Sequence, residues 1–183
     1  CKKKKIIFLL SVFGVEELKI IKKLKLKVLK IPSGEINNIP LLNLVARMNK
    51  KIILSTGMSY LNEIELAIKI LKKNGLKTSK ITVLQCTTDY PTQLKDVNLN
   101  AMITIKKKLK VEVGLSDHTT GNISAISAVS LGAKVIEKHI TLNNNLEGPD
   151  HKASLNPNKF KEFVKNIRNV EILLGSKIKK PTK

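Results

Sequence analysis

Two histidines follow two successive apolar segments of the chain and could share one metal ion. His118 lies in the run Ser116-Asp117-His118-Thr119, and His139 ends the run Glu137-Lys138-His139. If the segments are neighbouring strands, about 4.8 Å apart, both imidazoles can reach one divalent cation. The alternative is a histidine that only bonds to nearby backbone. Two histidines among oxygen ligands favour Mn²⁺, with Mg²⁺ or Co²⁺ as alternatives, and zinc also fits.

Other residues at the ends of apolar segments are of types that bind anions. They are Ser11, Lys30, Ser33, Thr88 and Ser116. Four hydroxyl groups around one ammonium group suit an oxyanion such as phosphate. Glu35 is a candidate general base, or a general acid if it is protonated. Lys30 could instead form a Schiff base with a carbonyl substrate, which predicts a different enzyme.

The elements that must position these residues are short apolar segments alternating with helical patterns. The predicted strands cover residues 6–10, 27–31, 51–54, 81–86, 111–115 and 134–138. The predicted helices cover residues 15–25, 39–49, 60–74, 99–107, 122–131 and 157–174. Such segments are typical of parallel strands buried on both faces. We therefore expect an α/β fold, a TIM barrel, in which the polar residues meet at the rim formed by the carboxyl ends of the strands.

The predicted barrel is incomplete. A TIM barrel has eight strands and about 250 residues, whereas this chain has 183 residues and six predicted βα units. We expect residues 1–174 to form a partial barrel and residues 175–183 to begin a linker. An open sheet exposes unpaired strand edges. We therefore expect a C-shaped sheet, and a chain that self-associates when it is isolated.

Composition excludes several classes of function. The net charge of +20 comes almost entirely from lysine, with Arg47 and Arg168 as the only arginines, and aromatic residues make up 3% of the chain. Nucleic-acid binding usually needs arginine forks and stacking rings, so we expect a solvated basic surface instead. No apolar run is long enough to span a membrane. Two cysteines, Cys1 and Cys86, are too few for a disulfide framework, and a cytoplasmic setting fits.

Six motifs in this order resemble those of the sialic acid synthase family. They are KIPSGE at 30–35, ILSTGM at 53–58, CTTDYPT at 86–92, GLSDHT at 114–119, IEKH at 136–139 and EGPDHKAS at 147–154. The family covers N-acetylneuraminate synthase and its legionaminate and pseudaminate relatives. The match extends from the third barrel strand of the family to the linker after the eighth.

The resemblance implies a metal-dependent condensation of phosphoenolpyruvate with the aldehyde of an N-acetylated hexosamine, giving a nine-carbon 2-keto acid and phosphate. His118 and His139 would bind the metal, which polarises the aldehyde, and Glu35 would activate water. The five anion-binding residues named above would hold phosphoenolpyruvate. Tyr90 and Asp150 would contact the sugar. The family also implies a homodimer and a C-terminal antifreeze-like domain that this chain lacks.

The sequence differs from the family's usual motifs at two places, and three points about its function stay open. Thr88 stands where some members have Asn, and Leu10-Ser11-Val12-Phe13 replaces the usual Ser-Thr-Pro-Phe. The acceptor could be N-acetylmannosamine or a diacetylated relative. A Schiff-base aldolase that uses Lys30, and an inactive fragment, are the competing hypotheses.

Overall fold

The computed structural model describes residues 1–181, which form a parallel sheet of five strands alternating with helices. The strands are β1 (Val28–Ile31), β2 (Lys51–Ser55), β3 (Ile81–Cys86), β4 (Glu112–Asp117) and β5 (Ile136–Lys138), paired in chain order. The helices are α1 (Val15–Leu24), α2 (Ile39–Arg47), α3 (Leu61–Lys73), α4 (Leu99–Leu109), α5 (Ile123–Ser130) and α6 (Pro157–Leu174). This order confirms an α/β fold.

Burial and helix caps explain why these segments form these elements. The strands are buried on both faces. In β1, for example, Leu29, Lys30 and Ile31 are all buried, because helices cover one face of the sheet and the barrel interior covers the other. The side chain of Asn156 accepts a hydrogen bond from the Lys159 amide at 3.0 Å, and Pro157 occupies the first turn of α6. Such a cap begins a helix at a defined residue.

The sheet is strongly curled. In a flat sheet of five strands, β1 and β5 would lie about 19 Å apart, farther than a lysine and a glutamate side chain can span together. Yet Lys30 Nζ of β1 lies 3.5 Å from Glu137 Oε1 of β5. The two strands at the opposite ends of the sheet therefore face each other across the carboxyl-end rim, as they do in part of a barrel.

The first predicted strand, at residues 6–10, is not a strand in the structure. The end of the segment pairs with β1 through a parallel bridge between Ser11 and Lys30, in which the Val12 amide donates to the Lys30 carbonyl at 2.9 Å and the Lys30 amide donates to the Leu10 carbonyl at 3.3 Å. Ile6 and Ile7 are 64% and 82% exposed. The pairing does not extend to these residues because no element within residues 1–181 buries their side chains, and burial is what stabilises a strand.

The remaining predicted boundaries agree with the structure to within a few residues. Helix α6 ends at Leu174, and residues 175–181 contain no helix or strand. Residues 182–183 of the predicted linker lie outside the described residues. None of the helices in the described part of the chain is both long and apolar enough to cross a membrane.

Candidate functional site

The carboxyl ends of the strands surround an open cavity of about 470 Å³. Eight of the ten candidate residues predicted from the sequence line it. They are Ser11, Lys30, Ser33, Tyr90, Ser116, His118, His139 and Asp150. The predicted metal ligands, anion-binding residues and sugar contacts are thus gathered at one place, while Glu35 and Thr88 lie beside the cavity.

The two imidazoles lie next to each other. The ring centroids of His118 and His139 are 5.3 Å apart, with an angle of 66° between the ring planes. His118 is buried, and its Nδ1 lies 2.8 Å from the Thr87 carbonyl. Because a carbonyl only accepts, Nδ1 carries the proton and the lone pair is on Nε2. Burial lowers the pKa of His118, with His139 adding to the effect, so the ring is held in the neutral form that a metal requires.

This pair fits one divalent cation. The separation of the rings is small enough for one ion to contact a nitrogen of each, since a bond from a metal to imidazole is about 2.1 Å long. The backbone bond at His118 Nδ1 is the support that metal-binding histidines usually have. No group of three or more His, Cys, Asp or Glu suited to a metal occurs within residues 1–181. The residues that would hold the ion are therefore the two predicted histidines.

Tyr90 and Asp150 border the histidine pair. The Tyr90 ring stacks on His118 at a centroid distance of 4.0 Å and meets His139 edge-on at 5.7 Å. Burial raises the pKa of Tyr90 to about 12, so its hydroxyl stays a neutral donor. Asp150 Oδ2 lies 3.8 Å from His139 Nδ1, and the Asp150 side chain is 54% exposed. These two polar groups form the outer wall of the cavity.

A cation and several hydroxyl groups form the inner wall. Lys30 is 4% exposed and points its ammonium group toward Glu137 at 3.5 Å. The Ser116 hydroxyl donates to Glu137 Oε1 at 2.7 Å. Ser55 is also buried at the cavity wall, and its hydroxyl has no hydrogen-bonding partner among residues 1–181. A buried hydroxyl without a partner suits a ligand that supplies an acceptor.

Glu35 and Thr88 occupy positions just outside the cavity lining. Glu35 ends the 3-10 turn Ser33–Glu35, and its carboxylate accepts a hydrogen bond from the Asn38 side chain at 2.6 Å. Thr88 is exposed and lies close to Gly57 and Ser33: a Cβ placed on Gly57 would be 2.8 Å from Thr88 Oγ1 and 2.6 Å from Ser33 Oγ. Gly57 thus allows the loops after β1, β2 and β3 to meet.

Four further residues lie in or beside the site without having been predicted from the sequence: Ser55, Asp117, Glu137 and Lys138. Glu137 contacts Lys30 and Ser116 inside the cavity. Ser55 ends β2 in a position equivalent to the serines at other strand ends, which was a usable signal. Lys138 Nζ lies 2.9 Å from Asp117 Oδ2 beside the histidines. The partners of these residues depend on strand register and sheet curvature, which single positions do not reveal.

Comparison with known proteins identifies relatives along the whole chain. The chain is 51% identical over 182 residues to N,N'-diacetyllegionaminic acid synthase of Campylobacter jejuni, covering 100% of this chain and 54% of that protein. It is 36% identical to human N-acetylneuraminate-9-phosphate synthase, covering 93% of this chain and 46% of that protein. The chain thus spans about half the length of these relatives.

A solved structure and a family model agree with those relatives. The N-acetylneuraminic acid synthetase of Leptospira borgpetersenii, crystallised with citrate, superposes with a TM-score of 0.91 at 35% identity, over 99% of this chain and 62% of that one. The model of the NeuB family matches residues 1–179. The resemblance of the six motifs to sialic acid synthases is confirmed, and the chain belongs to the NeuB family.

Proposed function

We propose that the complete protein condenses phosphoenolpyruvate with the open-chain aldehyde of an N-acetylated amino sugar, forming a nine-carbon 2-keto acid and releasing phosphate. The observation that carries the proposal is one cavity in which a lysine and several serine hydroxyls lie beside two imidazoles. The first group suits a doubly anionic substrate, and the second suits a divalent cation. This combination is what the condensation requires.

Lys30 and the hydroxyl groups of the inner wall bind the phosphate and the carboxylate of phosphoenolpyruvate. The ammonium group of Lys30 is buried, so its attraction for an anion is screened less than at the surface. Ser55 supplies a hydroxyl without another partner in the described part of the chain, and Ser116 supplies one that now bonds to Glu137. Bound in this way, the enol carbon C3 is fixed in direction toward the histidine pair.

His118 and His139 hold a divalent cation, with Mn²⁺ favoured. When bound, such an ion supplies a Lewis acid that polarises the aldehyde oxygen. His118 presents Nε2 because Nδ1 is occupied by the Thr87 carbonyl. Tyr90 covers the face of His118 and keeps bulk water from that side of the ring. Its hydroxyl and the carboxylate of Asp150 bind hydroxyl groups of the sugar.

The reaction forms one carbon–carbon bond and replaces the C2–O bond to phosphate by a C2–O bond to water. C3 of phosphoenolpyruvate attacks the aldehyde carbon, which leaves positive charge on C2 and turns the aldehyde oxygen into a hydroxyl group by uptake of one proton. Glu35 accepts a proton from the water that adds to C2, and the C2–O bond to phosphate then breaks, while the new C2 hydroxyl loses its proton to phosphate and becomes the keto group. Glu35 follows two cavity residues, Ser33 and Gly34, on the same short turn, and so stands at the edge of the anion site.

The acceptor sugar is diacetylated. The identity to the N,N'-diacetyllegionaminic acid synthase is 51%, compared with 36% to the human N-acetylneuraminate-9-phosphate synthase. A difference of this size over nearly the same residues supports a legionaminic-type product.

Mass spectrometry of the products from a panel of acceptors tests the proposal on the complete protein. We expect phosphate release and a nine-carbon product with the diacetylated sugar, and loss of both after chelation of metal. If a product formed only with N-acetylmannosamine, the proposal of a diacetylated acceptor would be wrong. Borohydride trapping of pyruvate on Lys30, with activity that survives chelation, would support a Schiff-base aldolase instead.

A further inference from the structure

A buried ion pair lies directly beside the histidine pair. Lys138 Nζ is 2.9 Å from Asp117 Oδ2, and the side chains are 1% and 0% exposed. Each of these residues immediately precedes one of the histidines, His118 or His139. Lys138 also lines the cavity, whereas Asp117 does not, so the ion pair lies at the cavity wall next to the histidines.

Further hydrogen bonds connect this ion pair to its surroundings within the described residues. Asp117 Oδ1 accepts from the Thr119 amide at 2.9 Å and from the Thr119 hydroxyl at 2.8 Å. Lys138 also donates to the Thr119 carbonyl. The Thr119 hydroxyl also lies 3.2 Å from Ser124 Oγ on α5. Because the Thr119 hydroxyl donates its proton to Asp117, the Ser124 hydroxyl is the donor in this second bond. The ion pair is thus tied to the turn after β4 and to the following helix.

The ion pair is the last rung of the ladder between β4 and β5. The register joins Leu115 to Ile136, Ser116 to Glu137 and Asp117 to Lys138, and it ends there. The two histidines come one position later, where no backbone ladder joins them to each other. The Asp117–Lys138 ion pair joins the two residues that come directly before the histidines, and the Ser116–Glu137 hydrogen bond joins the pair before them.

Stability alone does not account for such a pair. Burying two charges costs about as much solvation energy as their attraction returns, so a buried ion pair is often no more stable than two apolar side chains. Its contribution is instead a fixed distance and direction between two strand ends. The strand on one side, β5, has only three residues and so is weakly restrained by its own ladder.

We propose that Asp117 and Lys138 are a positioning pair that sets the separation of His118 and His139, and thereby the affinity and coordination geometry of the metal site. This inference rests on the proposed function. Residues that support metal ligands typically change metal affinity by about 10- to 100-fold when they are altered. The pair would act on the metal site while leaving the anion-binding wall unchanged.

The test replaces both charges together in the complete protein. The double variant Asp117→Asn with Lys138→Met keeps the acceptor for Thr119 and leaves neither charge buried alone, so it should fold where either single variant is strongly destabilised. The double variant Glu65→Gln with Lys69→Met is the control, because it removes an ion pair of 2.9 Å from the exposed surface of α3. If the buried double variant does not fold, the single variant Asp117→Glu tests the proposal instead. It keeps both charges but moves the carboxylate by one methylene group.

Calorimetry and electron paramagnetic resonance with Mn²⁺ measure the outcome. We expect the buried double variant, or Asp117→Glu, to bind Mn²⁺ at least about tenfold more weakly with an altered spectrum, while affinity for phosphoenolpyruvate stays within twofold. The surface control should bind Mn²⁺ as the wild type does. Unchanged Mn²⁺ binding in the buried variants overturns the positioning role if His118→Ala abolishes binding. If His118→Ala also binds normally, the metal site of the proposed function fails, and this inference with it.

Discussion

The imidazole of His118 is restrained by three different groups. The Thr87 carbonyl accepts from Nδ1, the Tyr90 ring stacks on one face, and the Ser116 hydroxyl lies 3.3 Å from Nε2. A ring held in this way needs little rearrangement to bind a metal, which lowers the entropy cost of binding. His139 is freer, with a side chain that is 33% exposed.

Replacing either cavity histidine should abolish tight Mn²⁺ binding. We expect His118→Ala and His139→Ala to lose it in calorimetry, since one imidazole cannot hold the ion alone, and to lose several kcal/mol of transition-state stabilisation. His151→Ala is the matched control, because His151 bonds to Thr141 at 2.7 Å and does not line the cavity. Near-normal activity of His118→Ala would rule out the metal assignment.

Glu35 and Lys30 should affect different kinetic quantities. We expect Glu35→Gln to lower turnover roughly 100-fold with little change in affinity for phosphoenolpyruvate, since it acts on the water step. Lys30→Ala should instead mainly weaken the affinity for phosphoenolpyruvate. Calorimetric titration with phosphoenolpyruvate separates the two. Equal weakening by both substitutions would show that Glu35 belongs to the anion site.

The phenol of Tyr90 should ionise only at high pH. Burial is the main cause of its raised pKa of about 12, followed by the negative charges of Cys86, Asp150 and Glu137. The folded chain keeps this proton where the unfolded chain, with an ordinary value near 10, loses it, so Tyr90 should reduce stability as pH rises from 10 to 12. Absorbance titration of a Tyr60→Phe variant isolates Tyr90, and a midpoint near 10 would contradict its burial.

Residue types at strand ends could be predicted from the sequence, but their partners could not. Eight candidate residues line one cavity because parallel strands bring their carboxyl ends together. The contact between Lys30 and Glu137 depends on how far the sheet curls, and no local pattern encodes that curvature. The ion pair of Asp117 with Lys138 depends on the register of β4 against β5.

At the level of elements, β4 and β5 approach each other closely at Gly114. A Cβ placed on this glycine would collide with the Val135 carbonyl and would lie 2.7 Å from Leu84 Cδ2. The Val135 carbonyl accepts from the Leu115 amide at 3.0 Å, so it cannot move away without losing that bond. Glycine is therefore required for the spacing of the two strands that carry the histidines.

Gly114→Ala should destabilise the fold by about 1–3 kcal/mol, as overpacking of a buried site does. Denaturant unfolding measures the loss. Gly34→Ala is the control, because nothing lies within 4 Å of a Cβ at Gly34 and its backbone suits other residues. Equal stability of the two variants would mean that β4 and β5 separate easily.

The elements were predictable where helices and strands cover each other. Helix α3 buries Ile64, Ala67, Ile68 and Leu71 along one face, which is the spacing that the sequence shows. Residues 6–10 have the same apolar composition but are not a strand, because most of their side chains are not buried against another element of the described chain. At the edge of the sheet, apolar character alone therefore predicted a strand that does not form.

Apolar residues are exposed at both ends of the chain. Ile6, Ile7 and Phe8 are 64%, 82% and 44% exposed, and Ile172 and Leu173 on α6 are 77% and 82% exposed. Each end therefore exposes neighbouring apolar side chains, which favour contact with other protein. The net charge of +20 opposes association but does not cover these side chains.

The isolated 183-residue chain should therefore self-associate and lack synthase activity. Light scattering and a phosphate-release assay measure the two properties. Ile7→Ser combined with Leu173→Ser should reduce the associated fraction, whereas Leu66→Ser, at a position that is 52% exposed on α3, should not. A monodisperse and active monomer would contradict this expectation.

Because the sheet is curled, residues from its two opposite ends line the same cavity. Ser11 and Lys30 belong to one end of the sheet, and Glu137 and His139 belong to the other. A ligand that contacts both ends acts as a brace across the open side. Binding energy is then spent partly on holding the sheet at its working curvature, so ligand affinity and the stiffness of the whole domain become linked quantities.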